Sequence, residues 1–205
     1  MRGLITQTLL GAYQYMFECQ EEYIEEAQEA FMRTLRREPQ EPTKAMQNGI
    51  AFENVVYRLA AGEKPAANKW APGAQKVAEY LKGAQIQVRM ERPIKVDGND
   101  YLVYGIADGI KAGTIYDVKF SNKSLGSSEV YGKYLKSPQH PTYFYLCPGA
   151  DRFQYLVSDG RDIYTGDAYE PSTCVGIWLF IEDMMQYLEK HSLMDLYREK
   201  WRAME

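Results

Sequence analysis

The stretch GIADGIKAGTIYDVKFSNKS, residues 105–124, restricts the fold of this chain more than any other segment. It reads as a tight β-hairpin: one strand over roughly Tyr101 to Lys111, a second over roughly Thr114 to Phe120, and Ala112-Gly113 as a two-residue turn. That register sets Lys111 against Thr114, Ile110 against Ile115 and Asp108 against Asp117, with the two acids' Cβ atoms about 5 Å apart. Side chains alternate along a strand, so Lys119 shares the face of Asp117. Like charges directly opposite in a sheet are destabilising. Solvent between them, a shared proton or a bound cation would relieve the repulsion.

The hairpin needs helices to cover it, and the rest of the chain offers them. Residues 1–38 read as helical, being rich in Glu, Gln, Ala, Arg and Leu, until Pro39 and Pro42 break the run. The basic residues Arg33, Arg36 and Arg37 suit a solvated helix end. A second helix is expected from Thr43 as N-cap to Ala61, with Gly62 closing it. A short helix follows from Ala74 through Leu81, ended by Gly83, after a Pro-containing loop anchored by Trp70. Gln85 to Pro93 and Ile94 to Val96 read as strand, and Asp97-Gly98-Asn99-Asp100 as a turn. Beyond the hairpin we expect a helix over roughly Ser128 to Leu135 and another from Ser137-Pro138 to about Cys147. Strands over Arg152 to Val157 and Asp162 to Tyr169 come next. A last helix starts near Ser172 or Thr173 and breaks at His191-Ser192. This order predicts one α/β domain with a central mixed sheet flanked by helices. It divides into an N-terminal helical segment (1–42), a core (43–170) and a C-terminal helix (171–205).

On the second helix, Glu53 falls inside an apolar side formed by Met46, Ile50, Val56 and Tyr57. A glutamate on a buried face either pairs with a core Arg, Lys or Tyr, or ligates a metal. Gly49, one turn earlier, leaves room for another segment or a ligand. Asp108, Asp117, Glu53 and the main-chain carbonyl of Val118 together make a set of hard oxygen donors suited to Mg²⁺ or Mn²⁺. Lys119 would stand beside the metal to orient or deprotonate a water, or to neutralise charge on a phosphate. From Lys111 to Lys136 the chain carries five lysines against two acids, so Lys123, Lys133 and Lys136 could track a phosphate backbone. A metal, a water, an amine and a basic loop are the equipment for phosphodiester hydrolysis. Plain solvation remains the alternative for the lysines.

The net charge of −4 means any nucleic-acid contact must be a local patch. Three scattered cysteines and no CxxC pair argue against an iron–sulfur cluster, a zinc site or a disulfide framework. They fit reduced thiols in the cytoplasm. The N-terminus lacks the pattern of a signal peptide and no apolar run approaches a membrane span.

Gly49-x-x-x-Glu53, Gly105-x-x-Asp108, Asp117-x-Lys119 and Gln139-x-x-x-Tyr143 occur in the order seen in the RecB-type branch of the PD-(D/E)xK nuclease superfamily, which residues 45–146 resemble. The resemblance implies a restriction-endonuclease-like core and a Mg²⁺-dependent DNA exonuclease of recombination, repair or phage DNA processing. Glu53, Asp108, Asp117 and Lys119 would form its metal site, with Gln139 and Tyr143 positioning the metal–phosphate assembly or the DNA end. It also suggests phage-type exonucleases, with linear duplex or single-stranded DNA as substrate, a homo-oligomer, and a single-strand annealing or recombination partner. Many relatives carry a histidine at or near the position of Glu53, and some carry a four-cysteine cluster that this chain lacks. No P-loop is present, so a stand-alone nuclease module is implied. A site- or structure-specific endonuclease on the same fold, and a catalytically silent nucleic-acid- or partner-binding module, are the other readings.

Overall fold

The computed structural model describes residues 2–64, 68–125, 130 and 132–203. The chain runs β1 (Gly3–Thr6), α1 (Gln7–Glu18), α2 (Ile24–Leu35), α3 (Lys44–Ala60), α4 (Ala71–Leu81), β2 (Gln85–Val96), β3 (Asn99–Lys111) and β4 (Thr114–Phe120). It continues through α5 (Gln139–Leu146), β5 (Arg152–Ser158), β6 (Ile163–Tyr164), β7 (Ala168–Tyr169), α6 (Ile177–Lys190) and α7 (Met194–Lys200). This is an α/β fold with a mixed central sheet flanked by helices.

The β3 strand organises the sheet. Antiparallel β2 covers one of its edges from Gln85↔Ile110 to Val96↔Asn99. The other edge is shared by two strands. Parallel β1 pairs with Tyr101–Tyr104, and antiparallel β4 pairs with Gly109–Lys111. Among the described residues, 105–108 have no strand partner on that edge. The β4 strand then pairs in parallel with β5 over its whole length.

The sheet separates two apolar cores. On one face Phe52 and Val56 of α3 and Val77 and Leu81 of α4 pack on Val118 and Leu156. On the other, α1, α2, α5 and α6 bury Leu9, Phe31, Tyr143 and Ile181 against Val103, Ile115 and Phe153. Thr43 caps α3 by accepting the Met46 N–H at 3.2 Å. The turn Ala112-Gly113 takes φ 48° and 78°, the two positive values of a type I′ hairpin turn.

Several expectations need correction. Residues 1–38 are not all helical: Gly3–Thr6 form β1, which the far end of the chain stabilises through the bond from Leu4 N–H to Trp201 C=O at 2.8 Å. A Cβ on Gly3 would meet Tyr101 and Tyr197, so this close approach requires glycine. The α4 helix begins at Ala71, with Pro72 in its first turn where no N–H is needed. Met46 and Ile50 are exposed, because α3 reaches the sheet only from Phe52 onward. The strand expected over Asp162 to Tyr169 is two short strands, β6 and β7, both antiparallel to β5. The last helix starts at Ile177, and His191–Leu193 separate it from α7. Of the helix expected over Ser128 to Leu135, residues 128, 129 and 131 lie outside the described residues, and 132–135 form turns.

Candidate metal and phosphodiester site

The hairpin ladder holds from Lys111↔Thr114 through Gly109↔Tyr116 and then stops. Asp108 and Asp117 are therefore not a laddered pair, although the register leading to them is the expected one. Two observations explain the break. A Cβ on Gly105 would meet Tyr143 and Leu146 of α5, whereas a Cβ on Gly109 would meet Leu81 of α4. On a regular strand residues four apart share a face, so β3 reverses its facing between them, at Asp108. Opposite it in β2, Gln87 takes φ +53°, between the pairs Ile86↔Gly109 and Val88↔Ala107. The Asp108 carboxylate is turned into the mouth of the hairpin, where Oδ2 accepts the Val118 N–H at 2.7 Å.

Asp117 lies on the α5 side of β4 and is 5% exposed. The side-chain amide of Gln139 donates to its Oδ1. Lys119 Nζ stands 2.6 Å from its Oδ2, as expected for residues two apart on a strand. That short contact is charge-assisted, and among the described residues Lys119 is the partner of Oδ2. Burial pushes the Asp117 carboxyl above its ordinary range, Asp108 adds to the rise, and Lys119 and Gln139 oppose it. Burial works against the Lys119 ammonium, but Asp117 and Asp108 hold its pKa well above the ordinary lysine value. The two acids thus favour the charged form of Lys119.

Glu53 is half-buried on α3 and has no hydrogen bond or ion pair to a described residue. Burial raises its pKa to about 7, with Asp108 and Asp117 adding and Lys119 opposing. Of the two readings of this residue, pairing with a core Arg, Lys or Tyr is not made among the described residues. One turn on, Tyr57 donates to Asp108 Oδ1 at 2.6 Å. Gln87 Nε2 reaches the same oxygen at 3.0 Å and Tyr57 Oη at 2.9 Å.

These residues fit a Mg²⁺-type cation. No three of the described His, Cys, Asp and Glu side chains form a ready-made cage. Mg²⁺, however, keeps several waters and usually takes only one or two carboxylates. The buried Asp117 carboxylate meets Gln139 at Oδ1 and Lys119 at Oδ2, and such an ion would share Oδ2 with that ammonium. A strand residue points its N–H and C=O to the same edge, so the Val118 carbonyl faces the hairpin mouth alongside its N–H. Glu53 adds a third carboxyl with no competing donor.

The remaining expected site residues separate. Gln139 and Tyr143 are buried at 7% and 6% exposure. Gln139 holds Asp117, and Tyr143 Oη donates to the Ile106 carbonyl at 2.6 Å, inside the unpaired interval of β3. As placed, both act on the protein and not on a surface. The side chains of Lys123 and Lys133 line one hollow of about 250 Å³ with Tyr134, whose ring stacks on Tyr155 at 4.3 Å. Lys136 lines a different hollow with Phe17 and His140. Lys111 Nζ is spent on the carbonyls of Tyr80 and Lys82.

Tyr57, Gln87 and Tyr134 were not among the expected site residues. Tyr57 carried a signal, since its spacing of four from Glu53 puts both on one helix face. Gln87 is readable only from the β2–β3 register, and Tyr134 had no signal beyond its place in the lysine-rich segment.

No protein-family model and no curated protein matches the chain. Among solved structures, the crystal structure of SSO0001 matches with a TM-score of 0.53 at 17% identity, covering 91% of this chain and 77% of that one. At that identity the likeness is one of fold.

Proposed function

We propose that this chain is a divalent-metal-dependent DNA nuclease, with exonuclease action as the leading form and cytoplasmic DNA recombination, repair or phage DNA processing as its setting. The observation that carries the reading is the buried Asp117 carboxylate with Lys119 at 2.6 Å and Asp108 turned into the adjacent hairpin mouth. Asp108, Asp117 and Glu53 with the Val118 carbonyl would hold Mg²⁺, or Mn²⁺ in its place. When bound, that ion supplies Lewis-acid polarisation of the phosphoryl oxygen and an acidified water.

The chain's own groups supply the rest. Lys119, beside Asp117, is placed to orient a water or a phosphate oxygen and to neutralise charge that builds there in the transition state. Gln139 fixes the Asp117 carboxylate through a donated amide hydrogen. Tyr143 keeps β3 in place at Ile106. Glu53, ionised above about pH 7, can accept a water proton or join the donor set. Lys123 and Lys133, beside Tyr134, offer charge and an aromatic surface to the flanking strand. No described helix is long and apolar enough to cross a membrane, and Cys19, Cys147 and Cys174 are free thiols. Homo-oligomerisation and work beside a single-strand annealing partner belong to the same proposal.

The test uses end-labelled linear duplex, single-stranded DNA and closed circular DNA with Mg²⁺, Mn²⁺ or EDTA, with Asp117→Asn alongside. Loss of linear DNA alone, abolished by EDTA and by the substitution, supports the exonuclease. Nicking of circles assigns an endonuclease. Intact DNA under every metal, with DNA still bound, assigns a binding module and rejects the enzyme.

A further inference from the structure

The conformation of Gln87 is unusual. A non-glycine residue with positive φ is uncommon, and more so inside a twelve-residue strand. Such a conformation persists where surrounding contacts hold it. Here the side chain supplies those contacts. Its amide donates one hydrogen bond to Tyr57 Oη at 2.9 Å and another to Asp108 Oδ1 at 3.0 Å. Tyr57 in turn donates to the same Oδ1 at 2.6 Å. The three groups form a closed triangle anchored on α3, β2 and β3.

An ionised carboxylate has about four acceptor positions, two on each oxygen. On Asp108, Oδ1 is engaged by Tyr57 and Gln87 together, and one position on Oδ2 is filled by the Val118 N–H. A single position on Oδ2 remains, at the hairpin mouth toward which the Val118 carbonyl also points. A carboxylate held in this way cannot chelate with both oxygens unless the triangle opens.

We propose that Gln87 and Tyr57 are positioning residues that lock Asp108 as a one-oxygen ligand, presenting Oδ2 beside the Val118 carbonyl to the divalent cation. This rests on the metal-dependent reading above and adds two residues to it. The clamp acts on the site through its bonds to Asp108. The distorted strand at Gln87 is the conformation that brings its amide onto Oδ1, which explains why a β-strand keeps a left-handed glutamine at this place.

The experiment is a Mn²⁺ titration of the intact protein by calorimetry, with no DNA present. Wild type, Tyr57→Phe, Gln87→Gly and the double variant are compared, and each is also melted in EDTA. Glycine adopts positive φ without strain, so Gln87→Gly should melt no lower than wild type. Partners that orient a ligating carboxylate typically contribute about tenfold or more to metal affinity. Each single variant should therefore bind Mn²⁺ about tenfold more weakly, and the double variant less weakly than the product, because the bonds share one triangle. A merely structural role would lower melting temperatures and leave Mn²⁺ affinity alone. If wild type binds and both single variants stay within about twofold of it, the clamp is rejected and the nuclease reading stands. If wild type itself takes up no Mn²⁺, both are rejected.

Discussion

Lys119 Nζ lies 2.6 Å from Asp117 Oδ2, and the two side chains differ sharply in burial, at 31% and 8% exposure. The acid depends on the amine more than the amine on the acid. Removing one partner of a buried pair costs about 3–5 kcal/mol, and the exposure of Lys119 reduces that through solvent screening. Lys119→Met should destabilise the fold by about 1–3 kcal/mol in urea unfolding. Asp117→Asn/Lys119→Met should recover most of the loss and remain without nuclease activity. A double variant as unstable as the single would show that the pair is not the source.

Glu53 sets a pH dependence of defined sign. Its folded pKa of about 7 lies above the ordinary 4.5, so the folded state keeps a proton that the unfolded chain releases between those values. In EDTA, stability should fall as pH rises through that window and level off above it. Glu53→Gln should flatten the fall and be more stable than wild type at alkaline pH, by on the order of 1 kcal/mol after screening. Melting curves from about pH 5 to about pH 8 read this directly. An unchanged slope in the variant would place the titration elsewhere.

The divalent cation should stabilise the fold. At a hundred times its dissociation constant, a ligand specific for the folded state adds about 2.7 kcal/mol, or roughly 5–10 °C for a chain of this size. Mg²⁺ or Mn²⁺ should raise Tm by that order in wild type and by little in Asp117→Asn. A Tm indifferent to both metals would argue against the donor set.

Tyr143 and Gly105 form one packing unit over the unpaired part of β3. A Cβ on Gly105 would come to 2.9 Å from Leu146 Cδ1 and 3.1 Å from Tyr143 Cε1. Gly105→Ala should cost about 1–3 kcal/mol through overpacking, and Tyr143→Phe about 1 kcal/mol through the lost bond to Ile106. Since alanine displaces the same ring, the double variant should cost less than the sum. Strict additivity in chemical denaturation would mean the two sites are independent.

Lys123 and Lys133 share a hollow, and Lys136 does not. Each lysine that neutralises a phosphate contributes about 0.9 to the slope of log K against log salt on duplex DNA. Lys123→Ala and Lys133→Ala should each lower the slope by roughly that amount, and Lys136→Ala should lower it less. Equal effects from all three would put the DNA path across both hollows.

The hairpin turn, the Thr114–Phe120 strand and the Asp117–Lys119 contact were legible because each is local. Gly113 and the apolar alternation fix the turn, and two residues on one strand share a face without tertiary help. The reversal at Asp108 was hidden because Gln is not a residue that signals positive φ. Its cause lies in Tyr57, and in Gln87 itself, which reach Asp108 only in the folded chain. The β1 strand was hidden for a similar reason. Four residues ahead of a helix carry little pattern, and their partners are Tyr101–Tyr104 and Trp201. Glu53 was found by its misfit on an apolar face, yet two neighbours used to define that face, Met46 and Ile50, are exposed. Periodicity gave the helix its phase but not the point where it meets the sheet.

The two strands that share one edge of β3 leave an interval of four residues, 105–108, and each is tethered elsewhere: β1 at Trp201, β4 along β5. That interval behaves as a ruler. A residue inserted or deleted within it would carry Asp108 out of the hairpin mouth and Ile106 away from Tyr143, and would slip the β2 ladder that runs along the other edge from Met90↔Gly105 to Val88↔Ala107. For this chain, a change of length between Tyr104 and Gly109 should therefore cost the β2 ladder and the site together.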